Sequence, residues 1–229
     1  MRKNFKMYIL ISVLFLGVNV SAQDSRFRFG VKTGVNMSNA TIDNKDADPK
    51  FKVGHQVGLT VDYALSQTWI IQSGLSFTTK GSKIDDFMAN RVIGGDGRNE
   101  THTFDQMYLQ FPLYAAYRMD ITYNFGFVIG AGPYLAYGIG GKTKYKLHEG
   151  QFGNGSTELK FDTFGEAKDH FEQLKKLDFG VGFNIDSEFG KTVIGIGYEY
   201  GILDISAYEY DNNMKYQNHN VTLTLGYKF

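Results

Sequence analysis

The sequence predicts an all-β fold, an eight-stranded antiparallel up-and-down transmembrane β-barrel, on three observations. The last twelve residues, Asn218–Phe229, alternate Val221, Leu223, Leu225, Tyr227 and Phe229 with Thr222, Thr224, Gly226 and Lys228. This is the period-two pattern of a strand with one oily and one wet face. The same pattern recurs in seven earlier segments. Finally, an export signal opens a chain that contains no cysteine. A soluble sandwich also alternates, so the three together, and not any one strand, point to a barrel in a bacterial outer membrane.

Residues 1–22 form the signal peptide and residues 23–229 the barrel domain. Arg2, Lys3 and Lys6 make a basic start, Tyr8–Val18 is apolar, and Val20-Ser21-Ala22 offers small residues for cleavage after Ala22. The apolar run is too short to span a bilayer as a helix. Removing the signal leaves 21 Lys+Arg against 24 Asp+Glu, about −3, a balance that gives no reason to expect nucleic acid. Twenty-seven glycines and 15% aromatics with modest hydrophobicity suit a barrel wall, where only alternate residues need be apolar.

The strands follow in order. Phe29–Met37 sets Phe29, Val31, Val35 and Met37 against Lys32 and Asn36. Val53–Tyr63 sets Val57, Leu59, Val61 and Tyr63 against Gln56, Thr60 and Asp62. Trp69–Lys80 sets Trp69, Ile71, Leu75 and Phe77 against Gln72, Ser76 and Thr78. Phe104–Arg118 sets Met107, Leu109, Phe111, Leu113 and Tyr117 against Tyr108, Gln110, Tyr114 and Arg118. Tyr123–Ile139 sets Phe125, Phe127, Ile129, Leu135 and Tyr137 against Gly126, Gly130, Gly132 and Tyr134. Leu177–Ser187 and Thr192–Ile202 continue the rule, with Asp178, Asp186 and Glu199 on the wet face, and Asn218–Phe229 ends it.

Connections alternate in length. Leu65-Ser66-Gln67, Met119-Asp120-Ile121 and Glu188-Phe189-Gly190 are tight, whereas Asn39–Lys52, Gly81–Thr103, Gly140–Lys176 and Leu203–Gln217 are long and polar. Short periplasmic turns and long external loops are the habit of outer-membrane barrels. Aromatics gather at both expected interfaces: Phe29, Tyr63, Trp69, Tyr117, Tyr123 and Phe229 within, and Phe77, Phe104, Tyr137 and Tyr200 without. Pro112 and Pro133 fall inside strands and each removes a ladder donor, which predicts local bulges. Thr163 with Glu166, followed by Phe164, Ala167, Phe171 and Leu174 at helical spacing, predicts a short helix over about 163–176 in the third long loop.

Five segments, QFPLYAAYR (Gln110–Arg118), GAGPYLAYG (Gly130–Gly138), LDFGVGFNIDSEFG (Leu177–Gly190), YEYGILDIS (Tyr198–Ser206) and the terminal LTLGYKF, resemble the PorT-like outer-membrane β-barrel family common in Bacteroidota. The resemblance covers nearly all of the mature chain and is specific for its carboxy-terminal half. It implies an eight-stranded barrel inserted by the barrel-assembly machinery, with the terminal aromatic as recognition signal. The name-giving member is associated with protein secretion and gliding, but most relatives have no assigned activity, and fold alone does not transfer one.

Candidate chemistry concentrates on the wet faces, where Lys32, Asp62, Arg118, Asp178, Asp186, Glu199 and Lys228 would meet in the lumen. They read either as the lining of a selective channel or as a mutually paired plug. An eight-stranded barrel holds just enough room for side chains, while aqueous porins need about 16 strands, so the plug is favoured. His55, His102 and His219 are expected at the outer rim, with His148 and His170 in the third loop, but no metal-ligand spacing joins them. His219 near Ser206 and Glu209 is the nearest approach to a hydrolase site and lacks a nucleophile elbow. Asp43, Asp46 and Asp48 lack the glycine and glutamate of a calcium loop. The glycines of Gly195–Gly201 lie inside a strand with the wrong spacing for a nucleotide loop.

The expectation is therefore a non-enzymatic, cofactor-free, monomeric envelope protein. Outer-membrane lipid surrounds it and an unidentified partner meets its external loops. The alternatives are a narrow solute channel or secretion accessory, and a lipid hydrolase at the rim. A soluble lipocalin-like barrel is the rival fold, with the apolar face turned inward around a ligand.

Overall fold

A computed structural model describes residues 26–42, 48–86, 99–148, 156–165, 173–207 and 215–229. The expected signal peptide lies outside them, as do Asp43, Asp46, His170 and Glu209. Eleven strands are present: β1 Phe27–Ile42, β2 Asp48–Lys50, β3 Lys52–Ala64, β4 Trp69–Asp86, β5 Asn99–Thr122, β6 Phe125–Gly140, β7 Lys142–His148, β8 Ser156–Asp162, β9 Leu177–Phe189, β10 Thr192–Gly201 and β11 Tyr216–Lys228. All their pairings are antiparallel. β4 bonds to β5 as well as to β3, so the pairing order returns on itself through β1, β3, β4, β5, β6, β9, β10 and β11. Closure gives the backbone groups of both terminal strands a partner, which hydrocarbon demands because an unpaired N–H or C=O there costs several kcal/mol.

The alternation decides which way each face points. Val31, Val35, Leu59, Leu75, Leu109, Phe111, Leu135, Phe179, Ile196, Leu223 and Leu225 are exposed, while Asn36, Gln56, Gln72, Thr78, Gln110, Asn218 and Asn220 are buried. This is the inverse of a soluble protein, whose exposed apolar patches seldom exceed a few hundred Å². A lipocalin-like arrangement would place the oily set inside, and these strands place it outside.

Three expectations about local structure are corrected. First, β4 and β5 run past the expected ends to Asp86 and back to Asn99, and β2, β7 and β8 pair beside them. The first three long connections thus build a sheet that rises beyond the oily band. Second, the predicted helix over 163–176 is not formed where it is described. Thr163–Gly165 and Gln173–Lys176 are bends joined by a parallel bridge between Phe164 and Leu174, and Leu174 pairs again with Ser206. The remainder of that segment lies outside the described residues, among which there is no helix. Bonds from Leu174 N–H to Thr163 O at 2.8 Å and from Lys175 N–H to Ile205 O at 2.7 Å occupy backbone groups that a helix would have used locally. Third, neither proline makes a bulge. The register shifts in β5 against β6 fall between Met107 and Tyr108 and between Asp120 and Thr122, and it is unchanged across Pro112 and Pro133. A missing donor removes one rung, whereas a bulge needs an extra residue.

The short turns are well made. Ser66 Oγ accepts from the N–H of Thr68 at 3.2 Å and of Trp69 at 2.9 Å, closing β3–β4. Gly190, with φ of 59°, turns β9 into β10, a conformation that penalises any side chain. The middle turn is Tyr123-Asn124 and not Met119–Ile121, because β5 continues to Thr122.

Candidate functional site: the polar lumen

The inward positions of these strands stack into layers along the axis. Nearest the short turns, Lys228 Nζ on β11 donates to Asp62 Oδ2 on β3 and to Glu188 Oε1 on β9, both at 2.5 Å. Arg118 on β5 lies 3.3 Å from Glu188 and 4.0 Å from Asp62. Arg28 on β1 reaches Glu188 at 3.2 Å. Five charges from five strands thus share one cluster, which offsets the cost of taking each out of water.

Midway, Asp186 Oδ2 accepts from Asn184 Nδ2 at 2.8 Å and Gln72 Nε2 at 3.3 Å. Lys32, with Asp62 and Asp186, lines a cavity of about 90 Å³. Glycines open this level to larger groups. A Cβ on Gly195 would lie 2.3 Å from Asp186 Oδ1, and one on Gly182 would lie 2.0 Å from the Tyr114 hydroxyl.

Further out, Lys80 on β4 is wholly buried. Its ammonium sits 2.9 Å from Glu199 Oε2 on β10 and 4.5 Å from the centroid of the Tyr134 ring, a cation–π approach strengthened by desolvation. Glu199 also accepts from Gln110 at 2.5 Å and Asn220 at 3.1 Å. Asp178 accepts from Asn218 Nδ2 at 2.9 Å and from the Tyr134 hydroxyl at 3.4 Å. Above this, apolar side chains gather, although buried Ser82 lies 2.8 Å from the Tyr216 hydroxyl and Gln106 Nε2 donates to it at 2.9 Å. Ala40, Ile84, Phe104, Leu174, Ile205 and Tyr216 form one buried cluster, with Phe164 packed against it and edge-on to Tyr108 at 5.2 Å. Leu174 and Ile205 come from the connections after β8 and β10, so residues from two loops close the mouth.

The seven charged residues expected in the lumen therefore divide. Asp62, Arg118 and Lys228 meet in the inner cluster, Lys32 and Asp186 line the cavity, and Glu199 and Asp178 belong to the outer layer. Sequence reasoning missed Arg28, Lys80 and Glu188. Each has the inward parity of a neighbour that was identified (Lys32, Thr78 and Asp186), but lies at or just beyond the expected strand end. Continuing the alternation by one step would have found all three.

The interface aromatics are set on the outside near the short turns. Trp69 meets Tyr117 edge-on at 5.3 Å, Tyr63 lies 4.8 Å from Phe27, and Phe229 lies 5.6 Å from Tyr227. Tyr123 projects fully exposed from its turn. Phe104 is corrected: it is 2% exposed and points into the mouth, not to the outer girdle. At the outer rim His219 places Nδ1 2.9 Å from the Tyr198 hydroxyl and Nε2 against that of Thr41, so neither nitrogen faces Ser206. Among the described residues no three His, Asp or Glu side chains converge as a metal site.

Beyond the oily band, Asp105 on β5 bridges Lys52 at 2.8 Å and Lys144 at 2.9 Å. Burial pushes the Asp105 carboxyl up, and hydrogen bonds and charge from Lys52 and Lys144 outweigh it, holding the group below its usual range. The same hydrogen bond raises Lys144.

Residues 21–207 match the outer membrane protein beta-barrel domain family, and the chain belongs to that family. Membership places it in the bacterial outer membrane. No curated protein matches the chain. Among solved structures it is similar to Neisserial surface protein A at 11% identity, covering 88% of this chain and 97% of that one with a TM-score of 0.42. It is also similar to OprG from Pseudomonas aeruginosa at 14% identity (89% and 96% covered, TM-score 0.40). The outer membrane protease OmpT from Escherichia coli is a third, at 11% identity (90% and 98% covered, TM-score 0.44).

Proposed function

We propose that the chain is a non-enzymatic outer-membrane barrel of the PorT-like kind found in Bacteroidota. Eight strands would cross the bilayer up and down, and export would cut the signal after Ala22. The mature protein, residues 23–229, would be monomeric, inserted by the barrel-assembly machinery and surrounded by outer-membrane lipid. Its lumen is a structural plug and its external parts meet the partner. One observation carries this reading. The cavity between the two ionic layers is only about 90 Å³, room for a few waters, and apolar side chains lie above the outer layer. Mixed charges that pair with one another stabilise a barrel, whereas a conducting path needs them hydrated and spaced.

The test is single-channel recording of the protein in planar lipid bilayers. A plugged barrel gives no steady conductance. Steady conductance abolished by Arg118→Ala or Glu199→Ala would overturn the plug in favour of a narrow channel or secretion accessory, the reading that the Lys32- and Asp186-lined cavity favours. The hydrolase alternative predicts lipid turnover that His219→Ala removes. With both ring nitrogens on Tyr198 and Thr41, turnover is expected to stay at background in both proteins.

A further inference from the structure

The oily wall is not evenly filled. Where β1 meets β11, the strands that close the barrel, it carries a groove of about 370 Å³. Val31 and Thr33 on β1, Val57 on β3, Leu225 and Tyr227 on β11 and Thr192 on β10 border it. The register sets them side by side: Tyr227 stands between Val31 and Thr192, and Thr33 between Leu225 and Val57. Lys32 and Gly226, paired between these two rungs, face the lumen, so the strand backbone is the floor.

Thr33 makes the hollow. On the outward face of β1 it falls among Phe29, Val31, Val35 and Met37, all of them apolar and exposed. Its hydroxyl donates to Gln56 O at 3.2 Å, so the polar atom is satisfied by the wall and the methyl is left to the groove. Tyr227 belongs with Phe229 to the aromatics near the short turns, and Leu225 and Val57 lie one rung deeper in the oily band. At the interface end the β9–β10 turn presents Lys191, which is exposed. Its ammonium lies 6.0 Å from the centroid of the Tyr227 ring, and it pairs with no carboxylate among the described residues. The cations of the inner lumen cluster, by contrast, are neutralised by Asp62 and Glu188.

We infer that this groove seats one acyl chain of a glycerophospholipid in the leaflet beside the short turns, with the lipid phosphate on Lys191. An apolar hollow left empty forfeits dispersion contacts, and acyl chains are the solvent of this wall. Lysine suits the headgroup end because its flexible stem lies along apolar surface while the ammonium stays at the interface. Six bordering side chains are far fewer than the roughly 20–30 residues a side of a stable protein interface, so a second copy or another protein does not fit the groove.

A plugged or conducting lumen leaves this site unchanged, so lipid retention and single-channel recording can fail independently. The purified mature barrel in detergent is titrated with dioleoyl phosphatidylglycerol, with dioleoylglycerol and with glycerol phosphate, and retained lipid is measured by native mass spectrometry. Wild type should hold phosphatidylglycerol at least about fivefold more tightly than dioleoylglycerol, the share of one lysine near a headgroup. Lys191→Gln should bind the two lipids alike. Thr33→Leu fills the hollow and should weaken both, whereas Ala131→Leu, at an exposed position on β6 across the barrel, should weaken neither. Heat-modifiable gel migration checks that each variant is folded. Equal binding of the two lipids by wild type (the mark of annular lipid only), an unchanged preference in Lys191→Gln, or equal retention by Thr33→Leu and Ala131→Leu would each overturn the inference. Displacement of the lipid by glycerol phosphate at equal concentration would overturn it too.

Discussion

At the inner end of the lumen three cations, Lys228, Arg118 and Arg28, share two carboxylates, Asp62 and Glu188. At the outer end Lys80 pairs with Glu199, which also accepts from two amides, and lies over the Tyr134 ring, with buried Asp178 in the same layer. The inner cluster lies beside the turns, and Arg28 keeps a side chain 36% exposed. Lys80 has none of its surface exposed. Redundancy and solvent protect the inner layer from loss of one member, whereas in the outer layer Lys80 serves two buried carboxylates, Glu199 and Asp178. Removing one partner of a buried pair costs far more than removing both, because the survivor is left charged and unpaired.

The sharpest test of that difference is Lys80→Met. Loss of the ammonium leaves Glu199 buried without a cation, and stability should fall by about 3–5 kcal/mol. Urea unfolding in lipid vesicles, followed by the fluorescence of Trp69, the single tryptophan, reads it. The double change Lys80→Met/Glu199→Gln should recover only part of the loss, since Asp178 remains. If the single variant is as stable as wild type, the outer pair is not a pillar of the plug.

Glu188→Gln probes the inner layer in the same assay. Glu188 touches all three cations, yet Asp62 still neutralises Lys228 at 2.5 Å. A smaller loss of about 2 kcal/mol is expected, the scale of charged hydrogen bonds. A loss exceeding that of Lys80→Met would reverse the comparison. Between the layers packing matters more than charge. Gly182→Ala drives a methyl onto the Tyr114 hydroxyl, 2.0 Å away, and should cost about 1–2 kcal/mol by overpacking. Tyr114→Phe in the same chain should relieve only part of it, since the ring Cζ stays 2.7 Å from the added methyl, and Tyr114→Leu should relieve more; no relief from either would mean that the backbone of β9, not this contact, sets the cost.

How far the sequence revealed this architecture depends on depth. Within the bilayer, lipid enforces an oily residue at every second position, so the facing of Leu109, Phe111, Ile196 and Leu223 could be read directly, and Asp62, Glu199 and Lys228 followed by parity. Above the bilayer that constraint ends. Thr79–Asp86 holds a single apolar side chain, Ile84, and so shows no alternation, which left the length of β4 invisible, although Thr143, Tyr145 and Leu147 do alternate in what became β7. The segment around Phe164 carries a genuine helical pattern, but its ends bond to Leu174, Ile205 and Ser206. Those partners are set by tertiary contact, which local periodicity does not encode. Lys80 escaped notice for a simpler reason: it ended an expected strand, where a lysine reads as solvated.

The extension offers the mildest contrast, an ionic bridge in solvent beside ones in the lumen. Asp105 lies between Lys52 and Lys144, and its carboxyl is held below the usual range. A depressed folded value means that the bridge's contribution is fully present above the unfolded carboxylate value of about 4. It is lost as pH falls through the lower folded value. Because the Lys144 side chain is 36% exposed, screening keeps the effect small. The extension should therefore keep its β5–β7 pairing throughout the neutral range and loosen only below about pH 4. A carboxyl-carbon NMR titration of Asp105, with the β7 amides followed in the same samples, measures both. A midpoint at the ordinary aspartate value, or β7 shifts that ignore it, would remove the bridge from the forces that hold β7 on β5.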